Sequence, residues 1–236
     1  MTPKTSGITS IRDLKGKTVG LTSMRPSAFA ESAFKEVGLD FNRDVKLIAI
    51  GFGAQAKLAL DRGDAAAYLS FDTAVASIEN LGMEFTYLEP SYFNDLFGLV
   101  LATREQMIAD KPNVVIKVAR GIAKSVHFGL ANPDAAIKLH WKTYPESRPK
   151  GGDEAKLLQD ARSIFLSRFD SYVLSGTDKY GENLPRQWEV VVGQMKDQGE
   201  LPASFDPASA YTNQLVDEVN RWDRGAVTMQ AKNWKE

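Results

Sequence analysis

Apolar, β-forming runs alternate with amphipathic helical runs along the first ninety residues. The strand-like runs are 17–22, 45–50, 65–70 and 84–89. The helical runs between them are 28–37, 54–62 and 72–82. Strands joined through helices lie parallel in one sheet, because each helix carries the chain back to the edge where the previous strand began. The sequence therefore predicts an α/β fold, a parallel sheet with helices on both faces.

The pattern changes after this region. One more apolar run, 96–103, is typical of a strand, and beyond it nearly every segment has helical periodicity. Proline predicts helix starts at Pro112 and Pro133. The first of these helices has an apolar stripe of Val115, Val118, Ile122 and Val126. Further helices are predicted within 151–174, 185–201 and 209–222. A strand needs partners for its backbone groups, so 96–103 is expected to join the first sheet or strands that this chain lacks.

Composition excludes several classes of function. The chain has 236 residues, is 43% hydrophobic and carries a net charge of −1, so nothing predicts binding to nucleic acid. It has no cysteine, which removes disulfides, thiolate nucleophiles and cysteine metal sites. Its two histidines, His127 and His140, fall in predicted helices, and we expect neither a metal nor a cofactor. No signal-peptide core and no membrane-spanning run are present.

Three polar loops, at 22–27, 51–55 and 70–73, follow the first three predicted strands and precede helices. Ligands bind open parallel sheets at the carboxyl edge, and helix N-termini favour anions. Arg25 could grip an oxyanion with two hydrogen bonds. The candidate ligand-binding residues are Thr22, Ser23, Met24, Arg25, Ser27, Phe52, Gly53, Gln55, Ser70, Phe71, Asp72 and Tyr92. The structural alternatives are that Ser27 and Asp72 cap their helices and that the aromatic residues pack between domains.

Short catalytic motifs are missing. The sequence has no GxSxG, HExxH, GxGxxG or CxxC pattern and no phosphate-binding loop. It therefore predicts a protein that binds a ligand without converting it.

Three segments resemble the substrate-binding proteins of ABC transporters, in the branch that handles nitrate, aliphatic sulfonates, taurine and the thiamine pyrimidine precursor. They are SIRDLKGKTVGLTSMRPSAFAESAFKEVGLD at 10–40, ALDRGDAAAYLSFDTAVASIENLG at 59–82, and GLVLATREQMIADKPNVVIKVARGIAKSVHFGLANPDAA at 98–136. Their order and spacing extend the resemblance over residues 8–140. The proline usual near position 73 is Thr73 here.

The resemblance implies a type II periplasmic-binding-protein-like fold, whose two lobes close on a small molecule and deliver it to an ABC permease. Residues 7–96 would form lobe two. Residues 97–236 would hold the return strand and the helical C-terminal part of lobe one, whose N-terminal part is expected to be absent from the chain. The surface left in this way could pair two copies. The resemblance also implies a periplasmic location.

Two alternatives stay open. One is a truncated or repurposed interaction or sensor module. The other is an enzyme like the pyrimidine synthase of the same fold family, which uses its own histidine and a cysteine-rich motif.

Overall fold

The computed structural model describes most of the chain and divides it into two compact units. The described residues are 1–23, 28–169, 172 and 176–235. The first unit consists of Met1–Leu96 and Glu189–Phe205, and the second of Phe97–Trp188 and Asp206–Glu236. Among the described residues, no helix is both long enough and apolar enough to span a membrane.

The strands described in the first unit are short. They are β1 (Thr2–Pro3), β2 (Thr18–Leu21), β3 (Lys46–Ala49), β4 (Ala67–Leu69) and β5 (Phe85–Thr86). β2 lies between β3 and β4, and all three are parallel. The strands predicted at 17–22, 45–50 and 65–70 are therefore confirmed, and so is the α/β class with its parallel sheet.

A helix follows each parallel strand, as the alternation predicts. These helices are α1 (Ala28–Glu36), α2 (Gly53–Asp61) and α3 (Asp72–Glu79). α1 buries Phe34 in one apolar core together with Val19 of β2. α2 and α3 bury Leu60 and Val75 in a second core together with Tyr68 of β4. The helices thus cover both faces of the sheet.

The fourth predicted strand, 84–89, does not join the parallel sheet. Within this run only β5 is a strand, and it pairs antiparallel with β1. The N-terminal segment lies beside β4, where the main-chain N–H of Tyr68 donates to the carbonyl of Met1 at 2.8 Å. Thr2 is fully buried, and its hydroxyl donates to the carbonyl of Ala66 at 2.7 Å. The prediction was wrong because the polar N-terminal residues gave no sign of entering the fold.

The predicted strand at 96–103 is also absent. Residues 97–103 have no helix, strand or main-chain hydrogen bond among the described residues, and Leu99 is 75% exposed. The composition of this run is typical of a strand. A strand also needs a neighbour, however, and in the described structure none lies beside it.

The second unit is built from helices. They are α4 (Glu105–Asp110), α5 (Pro112–Ala131), α6 (Pro133–Thr143), α7 (Glu154–Phe169), the start of α8 (Pro185–Asp197), α9 (Val216–Val219) and α10 (Arg224–Lys232). The proline starts of α5 and α6 are confirmed. The helix predicted over 209–222 is mostly wrong: only α9 is α-helical there. Asn213 explains part of this, because its side chain bonds the main chain of Asn183 in both directions.

The stripe predicted on α5 does not all face the core. Val118 and Ile122 are 50% and 49% exposed, whereas Ile116 and Ala123 are buried. α5 packs chiefly against α10. Periodicity finds an apolar face on a helix, but α5 has apolar residues on more than one side, and the neighbouring helices decide which side is covered.

Gly20 in β2 gives a test of this packing. A Cβ at Gly20 would lie 2.4 Å from Cδ1 of the buried Ile50. We expect Gly20→Ala to lower the free energy of unfolding by about 1–3 kcal/mol, because a filled core resists extra volume. Urea denaturation followed by circular dichroism measures this.

Two controls accompany Gly20→Ala. Ile50→Val removes the clashing methyl group, so the double variant should recover part of the loss. Gly121→Ala lies in α5 with nothing within 4 Å, and it should be neutral or stabilising. Equal effects of Gly20→Ala and Gly121→Ala would contradict the packing argument.

Candidate functional site

Hydrogen bonds connect the three loops at the carboxyl edge of the sheet. The Tyr68 hydroxyl donates to the carbonyl of Gly51 at 2.7 Å. The Thr22 hydroxyl lies 3.1 Å from the Tyr68 hydroxyl and 2.6 Å from the Ser70 hydroxyl. The ends of β2, β3 and β4 are therefore fixed together. The structure thus brings together Thr22 and Ser70, as the parallel topology predicts.

The direction of each hydrogen bond in this network follows from the single hydroxyl proton of Tyr68. A phenol has one proton, and that of Tyr68 goes to Gly51. Thr22 must then donate to Tyr68, and Ser70 must donate to Thr22. The Ser70 oxygen keeps its lone pairs, and Ser70 is only partly buried. The network therefore ends in a hydrogen-bond acceptor at the edge of the sheet.

Tyr68 was not among the predicted site residues. Its ring is completely buried in the core beneath α2 and α3. The sequence did hold a signal, since a tyrosine inside a buried strand needs a partner for its hydroxyl. Its position before Ser70 places that hydroxyl near the edge of the sheet.

The loop after β3 has an unusual main chain. Gly51 and Gly53 have φ angles of 71° and 54°, in the left-handed region. A Cβ at Gly51 would lie 2.8 Å from Oε1 of Gln55, so the Gln55 amide lies close against this glycine. Gln55 itself is exposed. The turn thus presents a side-chain amide at the start of α2.

Two phenylalanines occupy the positions just before α2 and α3. Phe52 and Phe71 are the N-cap residues, and neither helix has a side-chain cap there. Their rings are 57% and 47% exposed, with centroids 6.1 Å apart and planes tilted by 59°. Serine or aspartate is usual at such positions because it accepts from the first main-chain N–H groups. These two helices instead begin with exposed rings.

Asp72 is the first residue of α3 and does not cap it. Its Oδ1 accepts from the main-chain N–H of Thr73 at 2.6 Å. The alternative that Asp72 is the N-cap residue is therefore wrong, because Phe71 occupies that position. A carboxylate here offsets the positive end of the helix dipole and lowers its preference for anions.

Tyr92 lies against the first turn of α1. Its hydroxyl donates to the carbonyl of Phe29 at 3.0 Å. Burial, with a smaller effect from the Glu36 carboxylate, raises the pKa of Tyr92 to about 12. This hydroxyl is therefore occupied by the protein itself, and the described contacts do not include it in the network of Thr22 and Ser70.

The other predicted site residues are not described members of the hydrogen-bond network of Tyr68, Thr22 and Ser70. Ser23 is exposed and Gly53 is partly buried. The candidates Met24, Arg25 and Ser27 lie outside the described residues. Among the described residues, no three histidine, aspartate or glutamate side chains are grouped so as to hold a metal ion. His127 bonds Tyr180 and Thr228 inside the second unit.

The burial of Tyr92 predicts how its phenol titrates. Its folded pKa, about 12, lies above the usual 10, so folding keeps the phenol protonated. Its contribution to stability should be complete below pH 10 and should be lost as the pH rises through 12. Absorbance titration at alkaline pH should show that Tyr92→Phe removes a late-ionising phenol. Loss of an early-ionising phenol instead would contradict the assignment.

Known proteins are similar in sequence to this chain over most of its length. The family model described as NMT1/THI5 like matches residues 1–136. The riboflavin-binding protein RibY of Chloroflexus aurantiacus is 27% identical over 218 residues, which cover 89% of this chain and 58% of that protein. The chain thus spans little more than half the length of this relative. A solved protein of Bordetella bronchiseptica RB50 is 21% identical and matches 98% of this chain and 69% of its own, with a TM-score of 0.45.

The family match and the riboflavin-binding relative confirm the resemblance noted in the sequence. Because the family model covers 136 of the 236 residues, more than half, the chain belongs to the NMT1/THI5-like family.

Proposed function

We propose that this protein binds a small, flat heteroaromatic solute, of the flavin or pyrimidine type, at the carboxyl edge of the first unit's sheet. The observation that carries the proposal is the pair of exposed rings, Phe52 and Phe71, at two uncapped helix starts. The relative named as a riboflavin-binding protein supports the same ligand class.

The two rings suit a flat ligand. Their tilt of 59° and separation of 6.1 Å mean that they do not stack on each other, so ring surface stays open to solvent. Exposed aromatic surface is costly in water, and covering it with another ring gains both burial and favourable ring geometry. A flat heteroaromatic molecule can cover one ring face and contact the edge of the other.

The polar groups suit a ring that carries both N–H and C=O groups. The Ser70 oxygen and the Asp72 carboxylate can accept hydrogen bonds from a ligand N–H. The uncapped starts of α2 and α3 and the Gln55 amide can donate to a ligand carbonyl. The pyrimidine edge of a flavin offers this alternation of donors and acceptors. A few convergent polar groups around apolar contacts are typical of small-molecule sites.

The charge of the candidate residues matters for anionic ligands. The described candidate residues include one carboxylate, Asp72, and no cation. The candidate cation, Arg25, lies outside the described part of the chain. Sulfonate, nitrate and taurine need a compensating positive charge of the kind that Arg25 carries, so they are tested beside the heteroaromatic solutes.

Transport is the broader role that we propose. The protein would act outside the cytoplasm as the solute-binding component of an ABC import system and would deliver its ligand to a membrane permease without converting it. Residues 7–96 would serve as lobe two, and 97–236 would belong to lobe one. Membership of the NMT1/THI5-like family supports this role.

A ligand titration tests the proposal. The fluorescence anisotropy of riboflavin is measured as the protein is added, because a bound flavin tumbles more slowly than a free one. The hydroxymethyl-pyrimidine precursor of thiamine, taurine and nitrate are compared by thermal shift and calorimetry. We expect saturable binding of a flavin or pyrimidine without turnover. Binding of taurine or nitrate alone, or a cooperative melt that no ligand shifts, would contradict the proposal.

The two phenylalanines give a specific prediction. Phe52→Ala and Phe71→Ala should each weaken binding of the flat ligand by about 5- to 150-fold, because stacking on one ring contributes about 1–3 kcal/mol. Stability should change little, since both rings are exposed. Calorimetry measures the dissociation constant.

Tyr87→Ala is the matched control. Its ring is 52% exposed, and its hydroxyl donates to Glu79 at the last residue of α3, away from the N-terminus of that helix. Truncating this ring should leave the dissociation constant unchanged. An equal loss in all three variants would remove Phe52 and Phe71 from the proposed site.

Tyr68→Phe tests the network beneath the site. It deletes the donor to Gly51 and leaves the ring in place, so we expect the free energy of unfolding to fall by about 1–2 kcal/mol and ligand affinity to fall with it. Tyr211→Phe is the control, because the Tyr211 ring stacks on Trp188 and its hydroxyl makes no hydrogen bond among the described residues. Stability lost without any change in affinity would show that the network supports the fold alone.

A further inference from the structure

The hydroxyls of Tyr68, Thr22 and Ser70 form a chain of hydrogen bonds that can run in only one direction. The Gly51 carbonyl, 2.7 Å from the Tyr68 hydroxyl, is an acceptor and takes the phenol proton. If the chain ran the other way, the lone pairs of Tyr68 and Gly51 would face each other at this distance. The Tyr68 side chain is completely buried, so water could not relieve that repulsion.

This direction decides what Ser70 can offer to a ligand. A serine hydroxyl at a surface ordinarily rotates and offers either its proton or its lone pairs. The proton of Ser70 is used on Thr22, 2.6 Å away, and among the described residues the Ser70 side chain makes no other hydrogen bond. Ser70 is partly exposed. A ligand group that meets the Ser70 oxygen must therefore be a donor.

Tyr68 controls this choice through two other hydroxyls. Its ring lies in the core beneath α2 and α3, so its own hydroxyl acts on a ligand only through Thr22 and Ser70. Without the Tyr68 hydroxyl, Thr22 no longer has an acceptor there and can donate to Ser70. The Ser70 proton is then available to a ligand. The buried phenol thus determines whether this edge of the sheet accepts or donates.

We propose that Tyr68 is a specificity-determining residue, which restricts the site to flat rings that present an N–H group to Ser70 and disfavours the same rings when that nitrogen is alkylated. This inference rests on the proposed function, because it requires that the ring binds at this edge of the sheet. It goes further in stating which edge of the ring meets Ser70. In a flavin, that edge has a single N–H group between two carbonyls.

A methyl group on this nitrogen tests the selectivity. Riboflavin and 3-methylriboflavin share their carbonyls and their ring faces, and only riboflavin has the N–H group. The methylated ring would leave the Ser70 acceptor without a donor. We expect 3-methylriboflavin to bind at least about tenfold more weakly than riboflavin, as measured by fluorescence anisotropy. Calorimetry makes the same comparison between the aminopyrimidine precursor of thiamine and its dimethylamino analogue.

Two variants remove the constraint on the direction of the chain. Tyr68→Phe deletes its first hydroxyl, and Thr22→Val deletes its second. In each variant the Ser70 proton becomes free for the carbonyls that both flavins share. The ratio of the two dissociation constants should therefore fall to about threefold or less. Thr22→Ser keeps the hydroxyl and should keep the ratio. A change of stability alone does not alter this ratio, because both ligands are measured on one folded variant, as circular dichroism checks.

Tyr211→Phe is the matched control. It removes a phenol hydroxyl in the second unit, where the Tyr211 ring stacks on Trp188, and should leave the ratio of the unmodified chain unchanged.

The possible failures of this test are distinct. Equal affinity of the unmodified chain for the methylated and unmethylated rings would overturn the selectivity and leave the proposed function in place. A ratio that persists in both Tyr68→Phe and Thr22→Val would overturn the role of Tyr68. Absence of binding by any of the four compounds would contradict the proposed function, and this inference with it.

Discussion

The hydrogen bond from the Tyr68 hydroxyl to the Gly51 carbonyl is the interaction on which the first unit depends. The ring fills the core beneath α2 and α3, and the main chain of the same residue pairs with Met1. Its single proton goes to Gly51 and thereby orients the hydroxyls of Thr22 and Ser70. One residue therefore joins the core, the N-terminal segment and the candidate binding edge.

Much of the fold could be predicted from hydrophobic periodicity, because β2 to β4 and α1 to α3 bury residues at the spacing of their own structure. The errors share one cause. The run 96–103 has the composition of a strand, and α5 has an apolar stripe, but neither property says what lies beside the element. The position of β5 was predicted wrongly for the same reason, because its neighbour is β1 and not the parallel sheet. Which elements lie side by side is a tertiary property, and a local sequence pattern does not contain it.

The candidate site was predictable to the extent that topology defines it. Parallel strands end at one edge, so Thr22 and Ser70 had to lie near each other. Tyr68 was missed because a buried strand residue was treated as packing alone. Asp72 was misplaced by one position, a common error at helix ends, where the terminal residue depends on local main-chain geometry.

The phenylalanines at the starts of α2 and α3 have a consequence for the energetics of binding. The N-cap position of α2 supplies no side-chain acceptor for the first N–H groups of that helix, whereas in α3 the Asp72 carboxylate accepts from the N–H of Thr73. In the complex that we propose, a ligand oxygen at the start of α2 would take the place of the missing serine or aspartate as the cap of the helix. Binding would then tighten the first turn of α2, so that its amide protons would exchange more slowly in the complex and report occupancy directly.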